Sequence, residues 1–382
     1  MYIILTSLVF EGCKPGNVST SSIVFTELKH LKPPDEQKEA LNIGAIYTAP
    51  VKLVNLKSNN DFIIGKIDKV ILHKDKIYVL DKSIAKELYI FDIDGKPLGR
   101  INKKANKLKS IRDFSIDEDT LYILDETKKN ICVFDINGTT LIKTIKLKPN
   151  NISNFEVINK DIICYRTQVN DKVDEFQNST LFSMNLDGEI KDYWLPINES
   201  NLYFTYFLGE FPVLQKDKNY IYISRFMDNN IYKYSYKTKR LINSYSIDFG
   251  KNKISDNLKS IKDDNRFVNE LNNGEFSYSA SGYIETDSIL KSCASINNTI
   301  NSFVVNKKTG KVYNGLKYNG TFLPIVMINQ LTNDLLVANI PLEILIDLKA
   351  QFPKNKVSDP LYAFLKEFDV KNSNPALIIL KK

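Results

Sequence analysis

A chain of 382 residues with 43% hydrophobic and 25% charged residues can bury a core, which excludes wholesale disorder. The net charge of +7 comes from basic residues scattered singly, with only short clusters such as Lys103-Lys104, so no concentrated stripe for nucleic acid is present. Two histidines, His30 and His73, leave few ways to build a Ser-His-Asp or Cys-His pair, and no CxxC spacing suggests zinc.

The chain opens on MYIILTSLVF, an apolar run too short to span a bilayer but of the length of a signal-peptide core. It ends in Phe10-Glu11-Gly12-Cys13, and a small residue directly before such a cysteine resembles the bacterial lipobox. Glu11 and the lack of preceding basic residues depart from that pattern. The expectation is a lipoprotein signal over 1–13 with Cys13 acylated, a tether over 14–45, and one folded domain over 46–382. Cys132, Cys164 and Cys293 sit in apolar runs and read as small buried hydrophobes.

Within the domain two segments align. Ile67–Arg100 and Ile111–Lys143 share four short runs rich in Ile, Val, Tyr and Phe, with Tyr78 and Tyr122 standing 44 residues apart. A period in the forties with four strands per unit is the mark of a propeller blade. The first copy predicts strands over about Lys66–His73, Ile77–Leu80, Leu88–Asp92 and Pro97–Ile101. Asp94-Gly95 and Asn137-Gly138 are hairpin signals, because both turn positions need positive φ. Looser copies follow at Phe155–Trp194, Pro212–Ile247 and Tyr283–Leu316. In the sixth, Leu323–Ile328 and Leu335–Ile340 supply two strands. Helix-like stretches at Pro341–Phe352 and Leu361–Phe368 then precede a terminal strand, Ala376–Leu380. That blade lacks an outer strand, and Pro50–Leu56 alternates as one should. The predicted fold is all-β, a six-bladed β-propeller with a short helical insertion in its last blade, closed by its N-terminal strand. Deletion through Leu56 should then unfold the domain, and deletion through Lys38 should be almost silent.

On IYVLD and LYILD, IFDIDGK and VFDINGT, Gly282–Thr286 and Asn374-Pro375, the chain resembles the six-bladed propeller lipoproteins of Bacteroidetes, and its first blades resemble NHL repeats. The resemblance covers about Val51 to Lys382. It implies a propeller at the cell envelope and hands over no catalytic residue.

Aligning the B strands places Asp81, Asp125, Arg166, Arg225 and Asn339 at one repeat position, expected to circle the channel mouth on the face of the B–C and D–A loops. Arg112, Asn154 and Glu285, near the starts of A strands, are expected in the upper channel. Asp81 and Asp125 are expected to cap turns. Arg166 and Arg225 stay open between internal pairing and holding a polar or anionic ligand. Asp92-x-Asp94-Gly95 is read as a hairpin rather than a calcium loop, lacking the remaining ligands. Insertions at Thr167–Thr180, Leu195–Phe211, Asp248–Gly282 and Pro341–Asn374 all fall on that same face. Tyr203 and Tyr206, with Phe204 and Phe207, are candidates for an aromatic platform under a sugar or a partner side chain.

Two functions are carried forward. One is an envelope-anchored module binding a protein, glycan or small polar ligand at the elaborated face. It would be monomeric, held to the membrane by its lipid alone, on the periplasmic side, and without nucleic acid or cofactor. The other is a metal-assisted propeller enzyme, lactonase- or lyase-like, with Glu285, Asn154 and Asn339 converging on an ion such as Ca2+ in the channel.

Overall fold

The computed structural model describes residues 23–31, 39–166, 179–196, 213–259, 261, 263–280, 282–296, 299–318, 321–322, 327–351, 360–370 and 373–382. For 24–30, 256, 264, 300, 321, 322 and 327 it describes the backbone alone. Apolar runs of five to eight residues, broken by Asx and Gly turns, are too short for helices and become strands. In blade 1 they are Lys69–His73, Lys76–Asp81, Glu87–Asp92 and Pro97–Ile101, strands A to D from the inside outward. Blade 2 repeats the pattern from Asp113 to Lys146 and blade 3 from Ile152 to Pro196. Blade 4 runs from Leu214 to Ile247. In blade 5 strand A is split into Tyr278–Ser279 and Ile284–Glu285, both paired with Ile289–Ile296.

Blade 6 closes the ring as its sequence predicted. Its sheet orders Met327–Leu331, Leu335–Ile340, Ser373–Lys381 and, outermost, Lys52–Lys57 from the N-terminal side of blade 1. The first four residues of the expected strand Leu323–Ile328 lie outside the described residues. Six apolar cores result, one between each pair of consecutive blades, from the blade 6–1 seam with Val54, Val70 and Leu377 round to the blade 5–6 seam.

The C–D hairpins of blades 1 and 2 each pack against the blade before. Gly95 has φ +82°, and a side chain there would meet the Asn55 carbonyl of the closing strand at 2.2 Å. Gly138, at φ +71°, lies as tightly against Ile101 of blade 1. In each turn the preceding Asx side chain accepts backbone amides: Asp92 from Asp94 and Lys96, and Asp135 from Asn137 and Thr139. Asp92 and Asp94 therefore belong to a hairpin, as read.

The stretch expected to be tether contributes strands of its own. β1, Val24–Leu31, pairs in parallel with Arg240–Ile247, the outer strand of blade 4. β2, Leu41–Asn42, pairs in parallel with Leu316–Tyr318. Ile43 and Tyr47 then enter the blade 5–6 core, where the Tyr47 hydroxyl donates to the Thr332 carbonyl at 2.8 Å. Cys132, Cys164 and Cys293 are buried free thiols, and burial pushes the Cys132 and Cys164 thiols above their ordinary pKa.

Candidate functional site in the channel and at its upper mouth

An innermost strand has one edge with no strand beside it, so its inward N–H and C=O groups need other partners. Polar side chains on neighbouring A strands supply them. The Asp113 carboxylate accepts the Phe155 amide at 2.9 Å, and the Ser115 hydroxyl accepts the Val157 amide at 3.1 Å. Gln330 accepts the Leu72 amide at 2.9 Å. Lys69 donates to the Phe114 carbonyl at 2.7 Å and pairs with Asp113 at 3.0 Å and Glu156 at 2.7 Å. Burial pulls the Lys69 ammonium down, but the two carboxylates outweigh it and hold its pKa above the ordinary lysine value.

Lys216, on strand A of blade 4, reaches across to the Ile116 and Val157 carbonyls at 2.5 and 2.6 Å. Burial lowers its pKa, only partly offset by the charges of Glu156 and Asp117. Sequence reasoning missed this cluster, although a signal existed. Lys69 and Asp113 hold one repeat position, and the apolar pattern of a strand core gives no reason for charge there.

The predicted mouth residues divide. Asp81 and Asp125 are fully buried caps, each joining the D–A connection before its blade to its own B–C turn. Asp81 accepts the amides of Gly65, Lys66, Ile84 and Ala85, and Asp125 those of Lys109, Ser110 and Lys128 together with the Ser110 hydroxyl. Arg166 is 1% exposed and donates Nε to the Ser179 carbonyl of its own blade. Arg225 holds Asp228 through Nε at 2.8 Å, reaches Thr180 of blade 3 at 3.3 Å and lies over the Tyr232 ring. Asn339 is buried and accepts from Asn329, whereas half-buried Asn154 accepts the Ser153 hydroxyl at 3.1 Å. Arg112 directly precedes strand A of blade 2, Asp113–Asp117. Tyr203, Tyr206 and Cys13 lie outside the described residues.

Glu285 is the correction. It pairs across to Leu290 near the A–B turn, at the lower end of its strand, so the upper channel is not its place. Its side chain enters the seam between blades 4 and 5, bridging Lys233 and Lys307 at 2.7 Å each and accepting the Tyr283 hydroxyl. Lys233 in turn lies over the rings of Tyr220, Tyr222 and Tyr245, 5.1 Å from the last. Burial pushes the Glu285 carboxyl up, but the two lysines prevail and hold it below the ordinary value. The expected convergence of Glu285 with Asn154 and Asn339 is therefore not formed. Strand A of blade 5 is in two pieces, and Glu285 ends the second of them beside the A–B turn, which an ungapped alignment does not reveal.

Elaboration gathers on the upper face. The connection from blade 4 to blade 5 carries helices α1, Asp256–Lys259, and α2, Asp264–Asn273. They build a separate small core of Ile254, Leu258, Phe267 and Leu271 on Met227 of the blade 4 B–C loop. The blade 6 B–C connection carries α3, Leu342–Gln351, and α4, Pro360–Glu367, whose Leu345, Leu361 and Leu365 close the blade 5–6 core from above. Among the described residues seven large apolar side chains are exposed, and Ile63, Ile84, Ile346 and Val370 lie in upper-face connections of blades 6 and 1. Asn374 ties two of those connections together, holding the Ile64 amide and the Phe62 carbonyl.

The sequence model of a family described as a domain of unknown function, DUF4934, matches residues 35–381. No curated protein matches the chain. Its structure is similar to that of a Bacteroides fragilis protein whose description proposes export, with a TM-score of 0.67 at 13% identity, over 92% of this chain and 99% of that one. A weaker likeness, TM-score 0.46 at 12% identity over 87% and 96%, is to a Bacteroides vulgatus member of the duf4221 family. The first of these agrees with the propeller fold.

Proposed function

The chain belongs to the DUF4934 family, and from that premise we propose that it is an exported propeller, anchored at the bacterial envelope through Cys13, that binds a partner on its upper face. The observation that carries the reading is the gathering of both helical insertions and of four exposed apolar side chains on that one face. Loops on a rigid scaffold are where binding is built, and a face without a task can keep them short. Arg166, Arg225 and Glu285 are held by internal contacts, which favours a scaffold over turnover. The export proposed for the Bacteroides fragilis protein supports an envelope location. Lys14-Pro15-Gly16 after the cysteine, with no acidic cluster, favours the periplasmic side.

Partner capture by in-cell cross-linking tests the reading. Charge placed at Ile63→Glu and Ile84→Glu should abolish a specific cross-linked species that Lys76→Glu, on the lower face, retains. Equal capture by all three variants would sink it.

A further inference from the structure

We propose that the upper-face arc of blades 1 and 2 docks a protein whose facing surface is acidic, with Ile63 and Ile84 at the centre of the contact and a rim of lysines around them. The proposal rests on the binding reading above and names the chemistry of the partner. The arc's lysines stand singly or in pairs along the sequence, and the fold gathers them. Exposed Lys66 lies in the connection into blade 1, and Lys86 in its B–C turn. Exposed Lys104, Lys107 and Lys109 follow in the connection into blade 2, and Lys128 and Lys129 in its B–C turn. The buried caps stitch these loops together. Asp81 holds the amides of Lys66 and Ile84, Asp125 holds those of Lys109 and Lys128, and the Lys128 ammonium donates to the Lys107 carbonyl.

Carboxylates do not cancel this charge. The three in the same connections are engaged: Asp61 pairs with Arg100 at 2.9 Å, Asp68 accepts the Lys82 and Ser83 amides, and Glu126 faces Arg112 at 3.8 Å. The lower turns of the same two blades have the opposite bias, with exposed Asp75, Asp94, Glu118 and Asp119 against exposed Lys74 and Lys96. Ile63 and Ile84 are 61% and 64% exposed, and hydrogen bonds pin their backbones there. The Ile63 carbonyl accepts the Tyr89 hydroxyl at 2.8 Å, and Asn374 binds the residue on either side, Phe62 and Ile64. The Ile84 amide donates to Asp81 at 2.7 Å, and its side chain rests on Gly65. An apolar centre within a polar rim is the anatomy of a protein interface, and rim charges of one sign steer and select a partner of the other. β1 runs parallel to the outer strand of blade 4 with Val24 toward its lower end, so an anchor at Cys13 reaches the ring from below. That turns the upper arc away from the anchoring membrane and favours a protein over a lipid surface.

The test is carbodiimide coupling in cells that make the protein, which joins a lysine amine to a carboxyl in direct contact, with the joined peptides located by mass spectrometry. Adducts should link Lys104, Lys107 or Lys129 to an Asp or Glu of another protein. Lys104→Glu combined with Lys107→Glu should cut the yield through Lys129, which both substitutions leave in place, by about tenfold, because the reversed charges repel the approaching carboxylates. Lys96→Glu, on the lower face, should leave that yield unchanged. Equal coupling through the lower-face lysines, or a Lys129 yield indifferent to the double reversal, would overturn the proposal. The absence of any protein adduct would overturn it too. Binding of the purified whole chain to phosphatidylcholine vesicles containing phosphatidylglycerol, lost in the double reversal, would then assign the arc to lipid. Failure here is separable from failure of the upper-face reading. A cross-linked species lost in Ile84→Glu but kept in the double reversal would sink the acidic partner alone.

Discussion

Asp81 and Asp125 end the B strands of blades 1 and 2, and each accepts four donors from two separate loops with no exposure to solvent. Truncation strands several enclosed amides at once, and each buried group left unpaired costs about 1–3 kcal/mol. Asp125→Ala should therefore lower stability by ~2–4 kcal/mol in urea unfolding, with some relief where water reaches the loop. Asp125→Asn should recover part of that loss. Glu285 is the second such residue. Its carboxyl is held below the ordinary value in the fold, so its stabilising contribution is fully present above the unfolded pKa. That contribution is lost as pH falls through the depressed folded value. Glu285→Gln should accordingly flatten the acid limb of a stability–pH curve, and Glu285→Ala should cost about 3–5 kcal/mol by leaving Lys233 unpaired in the seam. An unchanged acid limb would show that the pair carries no coupling.

At the scale of elements, the closing strand Lys52–Lys57 and β1 carry different weights. Lys52–Lys57 places Val54 and Leu56 in the blade 6–1 core and takes the Gly95 hairpin on its outer side. Deletion through Leu56 should leave the ring open and abolish cooperative unfolding by calorimetry. β1 only covers the outer edge of blade 4, so its loss leaves every blade complete. Because β1 is a strand with Leu31 buried, the sequence-based expectation for deletion through Lys38 changes. That deletion should lower the unfolding temperature by a few degrees and promote association, since it bares a long outer strand to other chains. Light scattering that stays monomeric would argue that the edge is protected by its own twist. The parallel pairing of β1 was not legible, because nothing in VFTELKHL names its partner.

At the scale of the molecule, ring closure turns six marginal sheets into six shared cores, and the two helical insertions rise from one face. If Cys13 carries the anchor, Cys13→Ala should move the protein from the membrane to the soluble envelope fraction while leaving its unfolding temperature unchanged. Retention in the membrane fraction would remove the lipid from the proposal. The period of 44, the Asx-Gly turns and the alternation of Pro50–Leu56 determined the blade, the ring and its closing strand from sequence alone. These are local signals, since strand period and turn chemistry act between residues close in the chain. Tertiary structure alone decided that Lys69, Asp113, Glu156 and Lys216 fill the channel and that Glu285 leaves it for a lysine and tyrosine seam. Those arrangements join residues from different blades, and the partner of an unpaired strand edge or an enclosed charge is fixed only once the ring has closed.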